Sequence, residues 1–233
     1  MNYLQLCARL RHECRAQGTG PSSVVGQTGR NLDWVNWTAA AYTDLQNRHK
    51  NWRWLTSRFS FATTTNQEAY AGTDATDTVA SAAITRFRFW WPRTIRLYPT
   101  ASGVASQQII PAIDWTIFDR LYRIGALQNN SNRPQQCSIG LDNKLYLGPK
   151  PDSTGYTATG EYQKSAQVLA ANTDTPEMPS DYHMLIVYYA MQHYAFAMAA
   201  PDTLANATEH GRRLMAQLEG DQLPILARAG PMA

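Results

Sequence analysis

The chain has 233 residues, 44% of them hydrophobic and only 17% charged, against roughly 25% charged in an average soluble protein. A formal net charge of +3 is too slight to hold a nucleic acid by electrostatics alone, and the length allows one large domain or two small ones. Seven Trp, twelve Tyr and an excess of Arg over Lys suit a chain that buries surface against partners, where aromatic rings and the guanidinium fork are enriched.

Residues 3–16 read as a helix, with Leu4, Cys7, Ala8 and Leu10 on its apolar side. Four glycines and a proline break the pattern over residues 18–29. A second helix is predicted over 31–49, where Leu32, Val35, Ala39, Tyr42 and Leu45 keep helical spacing. Asn51-Trp52-Arg53-Trp54-Leu55 then forms a hydrophobic corner, its indoles filling the handover to a strand. The period changes at residues 54–63, which alternate about Phe59 and Phe61 as a half-buried strand does. Residues 67–83 are Thr, Ala, Asp and Gly in the main and read as an exposed excursion. Further strands are expected over 84–89, 95–98 and 108–110, and a short helix over 114–122 capped by Asp114. Asp142-Asn143 marks a tight turn between strands at 137–141 and 144–147, and residues 156–162 alternate once more.

The run Asp174-Thr175-Pro176-Glu177-Met178-Pro179-Ser180-Asp181-Tyr182-His183 reads as a rigid joint. Pro176 and Pro179 hold the preceding residues extended, and Ser180 is the expected N-cap of the helix that follows. That helix holds Gln192 and His193 and stops at Pro201. It is shorter than the ~20 apolar residues of a membrane span, so it is read as buried. A last helix is expected over 202–219, ended by Gly220, with an extended tail at 220–233. The fold class is therefore α+β. A helical bundle is built from N- and C-terminal helices (1–53 and 171–219), and a sandwich-like antiparallel β domain (54–170) is inserted between them.

Cys7, Cys14 and Cys137 lack CxxC spacing. Cys7 and Cys14 would stand about 10 Å apart along a helix, too far for a disulfide, so reduced thiols are expected. Met1-Asn2-Tyr3-Leu4-Gln5-Leu6 has neither the basic start nor the apolar core of a signal peptide. His12, His49, His183, His193 and His210 show no HxH or HExxH spacing, the glycines at 18–29 lack a GK[ST] ending, and there is no GxSxG. Asp114 and Asp119 are better read as a helix cap and a surface acid than as a catalytic pair. No catalytic, metal or cofactor-binding residue is assigned, and a non-enzyme is expected. Arg86, Arg88, Arg93 and Arg96 interleave with Phe87, Phe89, Trp90 and Trp91. Such a pattern can stack on single-stranded nucleic acid, but alternation in a strand, with rings to the core and arginines outward to solvent or an interface, accounts for it better.

The order of these features resembles a known family. An N-terminal helix like Asn2-Tyr3-Leu4-Gln5-Leu6 precedes a helix ending in Trp52-Arg53-Trp54-Leu55, and a Thr-rich turn comes before Tyr70. Later come Leu145-Tyr146-Leu147-Gly148-Pro149-Lys150-Pro151, then Tyr156-Thr157-Ala158-Thr159-Gly160-Glu161-Tyr162, then the double-proline joint running into Tyr182-His183. Over about residues 1–219 the chain resembles the head-to-tail adaptor (connector) proteins of tailed bacteriophages, which form the ring beneath the portal. The resemblance implies a structural virion protein at the head–tail junction, assembled in the host bacterial cytoplasm, with no membrane contact. It implies a homo-oligomeric ring, dodecameric in the family, with the portal protein on one face and a tail or nozzle protein on the other. Genomic DNA would pass through the lumen without sequence-specific binding. The tail residues Leu223, Pro224, Ile225, Leu226 and Arg228 would order against the portal on assembly. The alternative reading is a carbohydrate- or surface-binding β module of a phage tail, favoured by Thr/Asn-rich loops but leaving the flanking helices without a purpose.

Overall fold

A computed structural model describes residues 1–223, the Ala126 side chain excepted. In chain order it begins with helices α1 (Tyr3–Glu13) and α2 (Gly29–Arg48), followed by strands β1 (Thr56–Ala62), β2 (Ala69–Tyr70), β3 (Thr76–Asp77) and β4 (Ala82–Ala83). Strands β5 (Phe89–Pro99) and β6 (Gln108–Ile109) lead to helix α3 (Trp115–Tyr122), then β7 (Gln136–Ile139), β8 (Leu145–Gly148) and β9 (Tyr156–Gln163). Helices α4 (His183–Met198) and α5 (Pro201–Gln222) close the described chain. Two compact units result, one from residues 1–55 with those from 166 onward, the other Thr56–Ser165. The architecture is mixed α+β with open antiparallel sheets.

In the helical unit, Asn2 and Gln5 form a capping box: each side chain accepts from the other's backbone N–H, at 2.9 Å both ways. Tyr3, Leu6, Cys7 and Leu10 form the buried stripe of α1, at i, i+3, i+4 and i+7. Trp34, Val35, Thr38, Ala41, Tyr42 and Leu45 do the same for α2. Helix α4 packs on α1, α2 and α5 and buries Leu185, Ile186, Val187, Ala190 and Met191. Being apolar around most of its circumference, it is the centre of the bundle. Ala199 takes the left-handed conformation (φ 50°) that ends α4, and Pro201 opens α5, where a missing N–H costs nothing. Gly220 does not end the last helix as expected. Helix α5 continues to Gln222, because the general weakness of Gly in helices is no barrier one turn from a frayed end.

The β unit holds a six-stranded sheet, order β4-β3-β1-β9-β5-β6, and a three-stranded sheet, order β2-β8-β7, with every pairing antiparallel. Phe59, Phe61, Trp90, Ile95, Leu97, Ala158 and Tyr162 from the larger sheet share a core with Tyr70, Cys137, Leu145 and Leu147 from the smaller one. Gly160 pairs with Phe59, and a Cβ there would meet the Phe59 ring at 2.9 Å and Ile95 at 3.0 Å, so the ring needs the missing side chain.

Two strand expectations change. Residues 84–88 carry no strand; β5 is instead one strand through Pro99, with its register to β9 shifted between Trp91 and Arg96. Pro92 cannot donate to the ladder, and the Thr94 hydroxyl takes over, accepting from Glu161 N at 2.9 Å and donating to Trp91 O at 2.8 Å. The stretch 67–83 is also less exposed than its polarity suggests, since Tyr70, Ala75 and Asp77 are buried there.

Candidate functional site

The segment after β9 belongs to the helical unit rather than to a β domain ending near residue 170, and it is fastened to α1 and α2 by hydrogen bonds. Gln167 N donates to Gln46 Oε1 at 2.6 Å, and Gln46 Nε2 donates back to Gln167 O at 3.0 Å. Gln167 Oε1 accepts from the Tyr42 hydroxyl at 2.8 Å and from Glu177 N at 2.9 Å, while its Nε2 donates to Thr175 O at 3.0 Å. Tyr3 N donates to Asp174 O at 2.8 Å, and Asn172 Oδ1 accepts from Val24 N at 2.7 Å. The Asp174 carboxylate accepts from the backbone of Ala170 and Ala171, which holds its pKa below the usual carboxylate range.

Pro176 is buried, Pro179 half-buried and Ser180 exposed. Met178, between the prolines, sits in the helical core. Ser180 is not the N-cap of α4. It opens a short 3-10 turn, Ser180–Tyr182, and its hydroxyl lies near Asp181 rather than over the helix N–H groups. The turn takes the capping role because its own backbone bonds already occupy the approach to the helix. His183 begins α4 with both ring nitrogens engaged: Nε2 donates to Met178 O at 3.0 Å, and Nδ1 accepts from the Met1 amine at 2.7 Å.

The joint and the start of the tail converge. The Tyr182 hydroxyl donates to the Asp221 carboxylate, and Arg53 reaches Asp221 O at 3.4 Å. Leu223 is half-buried against the helical core, its N–H bonded to Glu219 O at 3.0 Å. Pro224, Ile225, Leu226 and Arg228 lie outside the described residues.

The arginine–aromatic stretch does not present a stacking platform. Trp90 is 2% exposed and wedged against Phe59 and Phe87 at ring separations of 4.5 and 4.6 Å, and Phe89 and Trp91 meet edge to face at 5.0 Å. Arg93 and Arg96 are exposed; Arg86 and Arg88 are half-buried, with Arg86 donating to Ser165 O at 3.2 Å. At the corner, Trp52 is fully buried, donates to Leu45 O at 3.0 Å and stacks on Trp54 at 4.4 Å.

Burial pushes the Cys7 thiol up to about 11 and those of Cys14 and Cys137 to about 12, the side-chain environment of inert cysteines. Among the described residues no cluster of three or more His, Cys, Asp or Glu could hold a metal ion, and no helix is long and apolar enough to cross a membrane.

Sequence reasoning missed a buried carboxylate. Asp77 accepts from the Tyr162 hydroxyl (2.6 Å), the Ser57 hydroxyl (3.0 Å), Val79 N (2.8 Å) and Ala80 N (2.9 Å). The two backbone bonds are a local Asx-type turn, but nothing in Thr76-Asp77-Thr78 signals burial, because the hydroxyl partners lie on β1 and β9, far away in sequence. An exposed aliphatic row, Ile117, Leu121, Ile124 and Leu127, was missed too, although its spacing on and after α3 was readable.

No curated protein matches the chain. The sequence pattern of the family described as SU10 adaptor protein matches residues 1–231, nearly the whole length. The chain belongs to that family of phage head-to-tail adaptors.

Proposed function

We propose that copies of this chain close into a ring that joins the portal to the tail and continues the DNA channel. The observation that carries this reading is the family match over residues 1–231. The fold is consistent with it: two units with their own cores, and apolar side chains such as Val25, Val79, Val104, Ile109, Val168 and Phe196 left exposed for partners. On this reading the protein is structural rather than enzymatic, and assembles in the host cytoplasm into a dodecameric ring. Portal lies on one face, tail or nozzle protein on the other, and genomic DNA in the lumen is held by no base-specific contact.

The tail from Leu223 through Pro224, Ile225, Leu226 and Arg228 docks on the portal. Each fully buried aliphatic side chain supplies roughly 1.5–3 kcal/mol, less the cost of ordering the segment. Because Asp221 and Leu223 hold on to their own helical unit, the informative truncation removes residues 224–233 only. The truncated chain is expected to melt like the parent and to lose co-sedimentation with purified portal. Parental affinity for portal after truncation would overturn the docking role.

A further inference from the structure

The six-stranded sheet is open, and among the described residues no strand is paired to the outer side of β4 or of β6. Proteins that stay monomeric guard such edges with charge, because an unpaired ladder is a template for another chain. Neither edge strand carries a charge of its own, although Arg133 reaches Gln108 on β6 from outside the strand. Residues 78–85 carry no charged side chain, and neither do residues 97–113. Both edge strands are open to solvent: Ala82, Ala83 and Gln108 are exposed and Ile109 is 66% exposed, with Val79 (73%) in the turn before β4 and Val104 (64%) in the turn before β6.

The directions of the strands decide what the two edges can do together. Five antiparallel pairings separate β4 from β6, so the two edge strands run in opposite directions within one copy. When a second copy is set beside the first in the same orientation, its β4 meets the first copy's β6 antiparallel. The alternation of the sheet then continues across the junction without a fault. Such a contact uses two different patches and repeats head to tail, the geometry a closed ring requires. An open cavity of about 260 Å³ flanks β6, lined by Leu97, Ile109, Ile110 and Pro134 together with the polar Gln108, Arg133 and Gln135. It has room for an aliphatic side chain from the incoming edge, as Val79 would supply. Arg133, at the same cavity, is already engaged with Gln108 Oε1 at 3.0 Å.

We infer that β6 of one copy adds to β4 of the next, so that the partner of both edges is a second copy of this chain and the sheets join edge to edge. This inference rests on the ring reading above. It is tested with Ala82→Cys and Ile109→Cys, each exposed and in separate chains, assembled as an equal mixture on portal and treated with a short bis-maleimide. Cys7, Cys14 and Cys137 are buried and do not compete. The mixture is expected to give a covalent dimer that neither variant gives alone. A dimer from one variant alone, or assembled rings without any cross-link, would each overturn the edge pairing while leaving the ring intact. Failure of the unmodified chain to assemble on portal would overturn the ring reading itself, and this inference with it. As a second variant, Ile109→Lys restores the missing charge at an exposed position; it is expected to keep the parental melting temperature and to lower ring formation on portal at least tenfold. Parental ring formation by this variant would contradict the inference.

Discussion

Two buried groups contribute to how this chain responds to acid. Burial opposes ionisation of Asp77, but the Tyr162 and Ser57 hydroxyls and two backbone N–H groups outweigh it and hold the carboxyl below its ordinary value. Its stabilisation is therefore complete above the unfolded carboxylate value, about 3.9, and is lost as pH falls through the lower folded value. Burial likewise pushes the His183 imidazole below its ordinary value, with the neighbouring Met1 amine acting in the same direction. The neutral ring is then the form the fold accepts, so stability begins to fall as pH drops below about 6.5. Denaturant unfolding across pH should show two steps on the acid side, and His183→Gln should remove the upper one. An unchanged slope between pH 7 and 5 in that variant would contradict the assignment. Asp77→Asn should lose roughly 1–3 kcal/mol at neutral pH, the cost of weakening a buried charged network, and should flatten the lower step. Measured stability within error of the parent would show that the network is not needed.

At the scale of elements, the helices were legible because their apolar residues recur at helical spacing and α4 is apolar around most of its circumference. The short helix with Asp114 at its cap was legible too: Asp114 accepts from Thr116 N at 2.9 Å, as its position before Trp115 suggested. What the sequence could not convey were features made by distant partners. The bulge at Pro92 depends on Thr94 reaching across to β9, and the burial of Tyr70 and Asp77 depends on strands that arrive from elsewhere. Ser180 looked like a cap because residue type alone cannot tell a helix start from a 3-10 turn one step before it. Likewise the double-proline segment is legible as rigid, whereas its fastening to Gln46, Tyr42 and Tyr3 is not. Replacing Pro176 and Pro179 together by Gly should lower stability by about 1–2 kcal/mol through chain entropy; a double variant with parental melting would remove the case for a rigid joint. In the β unit, a Cβ on Gly148 would stand 2.6 Å from the Tyr122 ring and 2.8 Å from Phe118. Gly148→Ala should therefore push α3 off β8 at a cost of about 1–3 kcal/mol, read by thermal melting.

At the scale of the whole molecule, the adaptor assignment was readable as an order of weak packing and turn signals, and the family match extends it over nearly the whole chain. The candidate surfaces were less legible, since exposure of Val79 or Ile109 is a property of the folded sheet and not of either segment. Each edge strand is only two residues long in the described fold. A contact between them is short, and the isolated chain is expected to sediment as a monomer or a weak oligomer, with ring closure templated by the portal. A stable large ring at micromolar concentration without portal would contradict templating but not the adaptor role. The most direct test of the central claim is electron microscopy of the purified chain mixed with purified portal. The account predicts portal particles carrying an added ring of this chain on one face, closed by the same contact repeated around the axis. Bare portal particles at saturating concentrations of folded chain would contradict it.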